Sequence, residues 1–468
     1  MAMEAKKKKK LKVVTAAGAV VALAATFVVL LLSASPLEPI LSWSNGYRLQ
    51  TRNWWSEPSS QPLEWRPCRW WSQHSERTAS AEKSNGFIIV ECAGGLNQMR
   101  RDFCDGISVA RLLNATLMLP RFHTSNYWNE TSGFADIFDA EYFIQQMKGF
   151  LHVVKELPPY LASKPPVVVD CHKRKPFDYI ETVLPVLLEH KLVIINPAAS
   201  QRADSNIAKM HKSIQHLQKP IRYPIWAKAT RCQACFKAIR LVNHLESKAK
   251  LILDRIPRPF VALHLRFEPD MIAYSRCSYQ NLSSSSLEAI EAVREGRPAF
   301  TGNLADNWRR RGKCPLTPVE AAFILQALRL PTNIPIYLAS GGGLLEKDGF
   351  MKVYSNTYEK KDFLDTQFLK QLRGNSKAAI DYYVSLKSDL FIATYFGNMD
   401  KMVVADRSLI NTGKTVVLNR KVFAEAISQG LNGSHLAYRV WQTHKALLDN
   451  GNHLPLPDCF CHSNAGQE

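Results

Sequence analysis

Apolar residues along the chain fall into short blocks separated by polar or glycine-rich turns. Phe87-Ile88-Ile89-Val90 predicts a buried strand, and Gly94-Gly95 a loop after it. Met99, Phe103, Ile107 and Ala110 recur at helical spacing, and Leu117-Met118-Leu119-Pro120 predicts the next strand. A strand, loop, helix and strand in that order signal a parallel sheet. Val167-Val168-Val169 and Leu192-Val193-Ile194-Ile195-Asn196 extend the same group.

The pattern then repeats. A long helix is expected from Gln233 to about Asp254, broken by Ile256-Pro257-Arg258-Pro259. Phe260-Val261-Ala262-Leu263-His264-Leu265 predicts a strand, followed by the polar stretch Arg266-Phe267-Glu268-Pro269-Asp270. Thr317-Pro318-Val319-Glu320 has the form of a helix start, with Thr317 as cap and Glu320 closing a capping box. Ile334 to Ala339, Asp389 to Thr394 and Val416 to Leu418 predict further strands, and Lys377 to Leu386 a helix. The fold class is therefore α/β, in two halves of residues 85–240 and 241–450, with a tail over 451–468. Ligands of such sheets bind beyond the carboxyl ends of the strands, here in a cleft between the halves.

The N-terminus is of another kind. Val13 to Ser33 is an uncharged run of 21 residues, long enough to cross roughly 30 Å of hydrocarbon. Lys6 to Lys10 and Lys12 precede it. The positive-inside rule makes residues 1–12 a cytosolic tip, 13–33 a signal anchor and the rest lumenal, a type II topology. A cleaved signal peptide has a shorter apolar core. Residues 34–84, rich in Ser, Pro, Trp and Arg, read as a lumenal stem, with the tryptophans expected to pack part of it onto the body. Four sequons agree with a lumenal body, at Asn114, Asn129, Asn281 and Asn432. Asn114, in an apolar passage, is expected to be buried and unmodified. Ten cysteines suit an oxidising compartment, and disulfides fit them better than zinc. Cys232-Gln-Ala-Cys235 and Cys459-Phe-Cys461 do not make a zinc ribbon, and the pairing is not legible from spacing.

Composition is close to globular averages, which excludes disordered and collagen-like chains. The net charge of +19 is partly the lysine tip, and the remaining excess favours an anionic partner such as a nucleotide, phosphate groups or an acidic glycan. A nucleic-acid role is disfavoured by the lumenal topology.

Three constellations carry candidate chemistry. Gly94-Gly95-Leu96-Asn97 lies between a strand and a helix, where glycines admit a ligand to the backbone and the helix N-terminus attracts anions, helped by Arg100 or Arg101. It is neither a Walker loop nor Gly-x-Gly-x-x-Gly. His264-Leu265-Arg266 ends a strand, and a guanidinium there is suited to neutralise a departing diphosphate. The competing reading of Arg266 is an ion pair with Glu268 or Asp270. Ser388-Asp389 and Thr394 flank a strand in a way that would hold a base or ribose, or that would simply connect helix to strand. No Asp-x-Asp occurs, which favours a metal-free reaction.

These segments, with Val109 to Leu117, Phe260 to Met271, Gly312 to Pro318, Ile336 to Gly341 and Asp389 to Thr394, together resemble the plant protein O-fucosyltransferase family over about 86 to 425. The resemblance implies a GT-B fold of two Rossmann-like domains facing a cleft, GDP-fucose as donor, inversion at the sugar carbon and no metal cofactor. It implies that Arg266 holds the β-phosphate, with Asn97 the second catalytic residue. Gly94, Gly95, Asn97, His264, Leu265, Arg266, Asp389 and Thr394 would line the donor. Some animal members carry a candidate base in a Glu-Gly-Phe-Asn pattern, and Gly94 stands in its place. Glu268, Asp270 and Asp102 are the candidate bases left. A related branch acts on pectin with UDP-rhamnose, and a non-catalytic lumenal glycan-binding protein is the third reading. The first is a Golgi enzyme acting on a glycan or protein acceptor.

Overall fold

The structure, a computed structural model, describes residues 65–73, 84–123, 130–169, 178–195, 223–294, 296–341, 343–450 and 456–462. The expected anchor over 13–33 and the sequon Asn129 lie outside these residues. Among the described residues, no helix is long and apolar enough to cross a membrane.

The first half is built on strands β1 (Phe87–Cys92), β2 (Thr116–Met118), β3 (Arg121–Phe122), β4 (Val153–Val154), β5 (Val167–Val169) and β6 (Leu192–Ile195), with helix α1 (Leu96–Leu112) between β1 and β2. Their order is β4-β2-β1-β6-β5, with β3 against the far end of β1, and every pairing is parallel. Helices α2 (Ile225–Cys232) and α3 (Asn243–Arg255) lead into the second half. There β7 (Val261–His264), α4 (Pro269–Ser275), α5 (Pro318–Ala327), β8 (Ile336–Leu338), β9 (Thr357–Tyr358), α6 (Gly374–Leu386), β10 (Leu390–Ala393), α7 (Asn398–Ile410) and β11 (Lys414–Val417) follow in turn. The second sheet runs β9-β8-β7-β10-β11, again all parallel. The α/β class and the division into two sheets agree with the sequence pattern.

Alternation along the strands decides where the core lies. Ala262, Tyr337, Phe391 and Ala393 share one apolar cluster with Ile88, Val90, Leu117, Val193 and Ile195 of the first half. Their strand neighbours Val261, Leu263, Ile336, Leu338, Leu390 and Ile392 face a second cluster on the other side of the sheet. The two halves therefore share one continuous core. A buried carboxylate, Glu130, crosses the junction and accepts the Asn375 N–H at 2.5 Å near the start of α6.

The expected helix from Gln233 to Asp254 is interrupted. After α2 the chain makes a π-turn over Gln233–Lys237, runs extended to Val242 and re-enters a helix as α3. Long-range ties explain the break. Cys232 is bonded to Cys459 and Cys235 to Cys104. Leu241 bridges Phe138, and the Val242 N–H donates to Ile137 O at 2.9 Å. The Cys-x-x-Cys pair thus splits between two disulfides.

The stem and the tail meet. Trp65–Pro67 pairs antiparallel with Phe460–His462, and Cys68 is bonded to Cys461. Trp71 is buried between Phe236 and Phe460, with ring centroids at 6.2 and 6.4 Å. Asn114 is exposed on a left-handed turn (φ 48°) rather than buried, as are Asn281 and Asn432 on the surface.

Candidate active site

The second half supplies most of the charged groups. β7 stops at His264, and the chain turns over Leu265 and Arg266 into α4. Thr394, just beyond β10, pins that turn. Its hydroxyl donates to His264 O at 2.8 Å and accepts the Arg266 N–H at 3.4 Å. The Arg266 guanidinium lies 3.0 Å from Glu268 Oε1 and 3.8 Å from Asp270 Oδ2, with 28% of the side chain exposed. Burial works against its charge, but the two carboxylates outweigh that and its pKa lies above the ordinary arginine value. Glu268 Oε1 also accepts the Gly341 N–H at 3.0 Å, while the buried Oε2 has no hydrogen-bond partner among the described residues.

Beside this fork sits a histidine–carboxylate pair. His264 Nδ1 is 2.5 Å from Asp400 Oδ1, with both side chains buried. Asp400 Oδ2 accepts the Gly397 N–H at 2.6 Å and so caps α7. The loop before that cap carries Phe396 at φ 58°, a strained conformation for a bulky residue. Next to it, the Arg420 guanidinium lies 3.9 Å from the centroid of the Tyr395 ring and donates to Tyr395 O at 2.9 Å.

The first half contributes the loop before α1. Gly94 has φ +99°, and a Cβ there would meet Gln98 Oε1 at 2.5 Å. That same oxygen accepts the Gly95 N–H at 2.8 Å, so the glutamine side chain closes the loop onto the helix. Asp102 Oδ2 accepts the Ala93 N–H at 3.2 Å and holds the loop from beneath. Asn97 is buried in the first turn of α1. Arg101 bonds the side chain of Asn398 at the start of α7. The early turns of α1 therefore meet the first turn of α7, the turn whose Asp400 holds His264. The glycine loop and the His-x-Arg strand end are brought to one junction.

Residues 87–410, from β1 through α7, match the family model described as GDP-fucose protein O-fucosyltransferase. The chain belongs to this family. O-fucosyltransferase 13 of Arabidopsis thaliana is 52% identical over 435 residues, covering 93% of this chain and 94% of that protein. Rhamnogalacturonan I rhamnosyltransferase 1 of the same plant is 32% identical over 365 residues, covering 75% of this chain and 68% of that one. A crystal structure of POFUT1 in complex with GDP-fucose aligns with 71% of this chain and 98% of its own at 17% identity and a TM-score of 0.41, too loose a match to place residues. The chain is a glycosyltransferase, and the non-catalytic reading is set aside.

Within this member of the family, several sequence-nominated residues stand elsewhere than expected. Asp389 precedes β10 and so lies at the amino end of the strand, opposite the junction and about 16 Å from Thr394 along extended chain. There it accepts the Phe260 N–H at 2.8 Å and binds Arg258 at 2.9 Å, the connector role, so it is not at hand for a base or ribose. The Leu265 side chain is fully buried in the core beneath the sheet, leaving only its backbone for a ligand. Arg100 is sealed against Asp406 and withdrawn from any phosphate. Of the candidate bases, Glu268 holds Arg266, Asp102 holds the glycine loop, and Asp270 is 33% exposed beside Arg266. Sequence reasoning missed Asp400, Asp406 and Arg420. Asp400 had a local signal, a carboxylate three residues after Gly397 at a strand-to-helix turn. The other two gave none. Among the described residues, no group of three or more His, Cys, Asp or Glu side chains stands ready to hold a metal ion.

Proposed function

We propose that this chain transfers fucose from GDP-fucose to a hydroxyl of a protein or glycan, with inversion and without a divalent cation, as a type II protein of the Golgi membrane. The observation that carries the reading is Arg266. It stands at the carboxyl end of β7, clamped on one side by Glu268 and Asp270, with 28% of its side chain open. Breaking the bond between the sugar C1 and the diphosphate places charge on the β-phosphate, and a positioned guanidinium stabilises that charge.

The 52% identity to O-fucosyltransferase 13 supports fucose over the rhamnose named for a relative at 32%. The lysine block and uncharged run support the anchor, and four disulfides support an oxidising lumen. The test is nucleotide release by the full-length protein from a panel holding GDP-fucose, UDP-rhamnose and GDP-mannose, with and without a chelator. GDP release from GDP-fucose alone, unchanged by the chelator, is the expected result. Release of UDP from UDP-rhamnose alone refutes the donor, and activity that returns only with manganese refutes the metal-free mechanism.

A further inference from the structure

Transfer to a hydroxyl requires a group that removes its proton, and the carboxylates nominated from sequence are engaged. Glu268 uses one oxygen on Arg266 and Gly341 and buries the other. Asp102 is 2% exposed and holds the Ala93 N–H. Asp270 lies 3.8 Å from Arg266, where a proton acceptor would be opposed by the cation. His264 is buried too, at 6% exposure, but its ring is only half engaged. Its Nδ1 is taken by Asp400 at 2.5 Å, and its Nε2 has no hydrogen-bond partner among the described residues. A carboxylate that accepts from Nδ1–H fixes the tautomer in which Nε2 carries the lone pair.

We propose that His264 is the general base of the transfer and that Asp400 is the residue that positions it. This rests on the reading of the chain as a transferase acting from a nucleotide sugar. The acceptor O–H proton passes to Nε2, and the oxygen forms a bond to C1 of the sugar. The C1–O bond to the β-phosphate breaks, and its electron pair leaves on the diphosphate beside Arg266. Asp400 stabilises the imidazolium until the proton passes to water. Its second oxygen, fixed on the Gly397 N–H, keeps the carboxylate from swinging away. The surrounding charges are mixed. Asp381 of α6 acts on His264, while Arg266, Lys401 and Arg420 act on Asp400. This setting lets Asp400 orient the ring without adding an isolated negative charge to the site.

The test uses full-length protein with whichever donor of the GDP-fucose and UDP-rhamnose pair the wild type turns over. His264→Gly lowers kcat by about 10²–10⁴, the usual worth of a general base. Added imidazole restores turnover, and imidazoles of increasing basicity restore it increasingly at equal free-base concentration. Asp400→Asn lowers kcat by about 10-fold or more through the wrong tautomer, with affinity for the nucleoside diphosphate of that donor unchanged. The double variant is rescued by imidazole to the level of His264→Gly alone, because a free ring needs no positioning. Rescue in the opposite order of basicity makes the ring a proton donor to the diphosphate and overturns the proposal. So does a folded His264→Gly with wild-type kcat. If that variant melts early, a well-folded Asp400→Asn with wild-type kcat overturns it equally. Use of UDP-rhamnose refutes the donor alone, since the proton comes from the acceptor either way. A wild type that turns over neither donor overturns both.

Discussion

Arg100 of the first half and Asp406 of the second meet at 2.8 Å with side chains only 3% and 9% exposed. The Tyr382 hydroxyl donates to the same carboxylate, and the guanidinium lies 5.1 Å from the centroid of the Tyr382 ring. Burial opposes the charge on Arg100, but Asp406 and Tyr382 more than offset it and its pKa rises. Arg100 therefore belongs to the junction between the halves. Arg100→Ala strands a buried carboxylate, a change that costs about 3–5 kcal/mol. A lower melting temperature is expected, with GDP affinity unchanged in the fraction that folds. A variant that melts like wild type and binds GDP weakly would return Arg100 to the phosphate site.

The Cys68–Cys461 and Cys232–Cys459 bonds clasp both ends of the described chain onto α2. Peptide mapping without reduction should recover these pairs together with Cys104–Cys235 and Cys277–Cys314. Removing the Cys232–Cys459 bond with paired serines should cost about 2–4 kcal/mol. A Cys232–Cys235 peptide in the map would contradict the split of that motif.

Much of the scaffold was legible because buried parallel strands are continuous apolar blocks. The blocks at Phe87, Leu117, Val167, Leu192, Phe260, Ile334, Asp389 and Val416 all hold strands. The Thr317 capping box is present as well, with Thr317 Oγ1 accepting the Glu320 N–H at 3.1 Å. Strands of two residues, such as Arg121–Phe122 and Thr357–Tyr358, are too short to leave a pattern. The site was half legible. His264 and Arg266 end one strand block and Thr394 ends another, as the block pattern predicts, and the parallel pairing of β7 with β10 sets them side by side. Their partners come from far along the chain, and no local periodicity carries a bond between residues 136 positions apart, as His264 and Asp400 are. Asp389 was misplaced for a simpler reason. A residue before a parallel strand lies at the wrong end of the sheet for a ligand.

Topology gives an independent test. The described sequons Asn114, Asn281 and Asn432 are all exposed, and a type II orientation puts them in the lumen. Glycosidase treatment should increase gel mobility, and protease added to intact microsomes should remove no more than the lysine tip. Digestion of the body in intact vesicles would reverse the orientation.

The decisive substitutions are at Arg266, where the ion pair complicates the usual alanine test. Arg266→Ala leaves Glu268, only 3% exposed, with the Gly341 N–H but no counter-charge. Loss of fold in that variant therefore says nothing about catalysis. Arg266→Ala combined with Glu268→Gln removes the stranded charge, so the double variant should fold while turnover falls by about 10²–10³. Arg266→Lys keeps the charge and should melt close to wild type. An ammonium lacks the planar fork that would hold Glu268 on one edge and a phosphate on the other, so turnover should still drop by a similar factor. Melting temperature and single-turnover rate for the three forms separate the two roles. Near wild-type turnover in Arg266→Lys would reduce Arg266 to an ion pair that holds the start of α4.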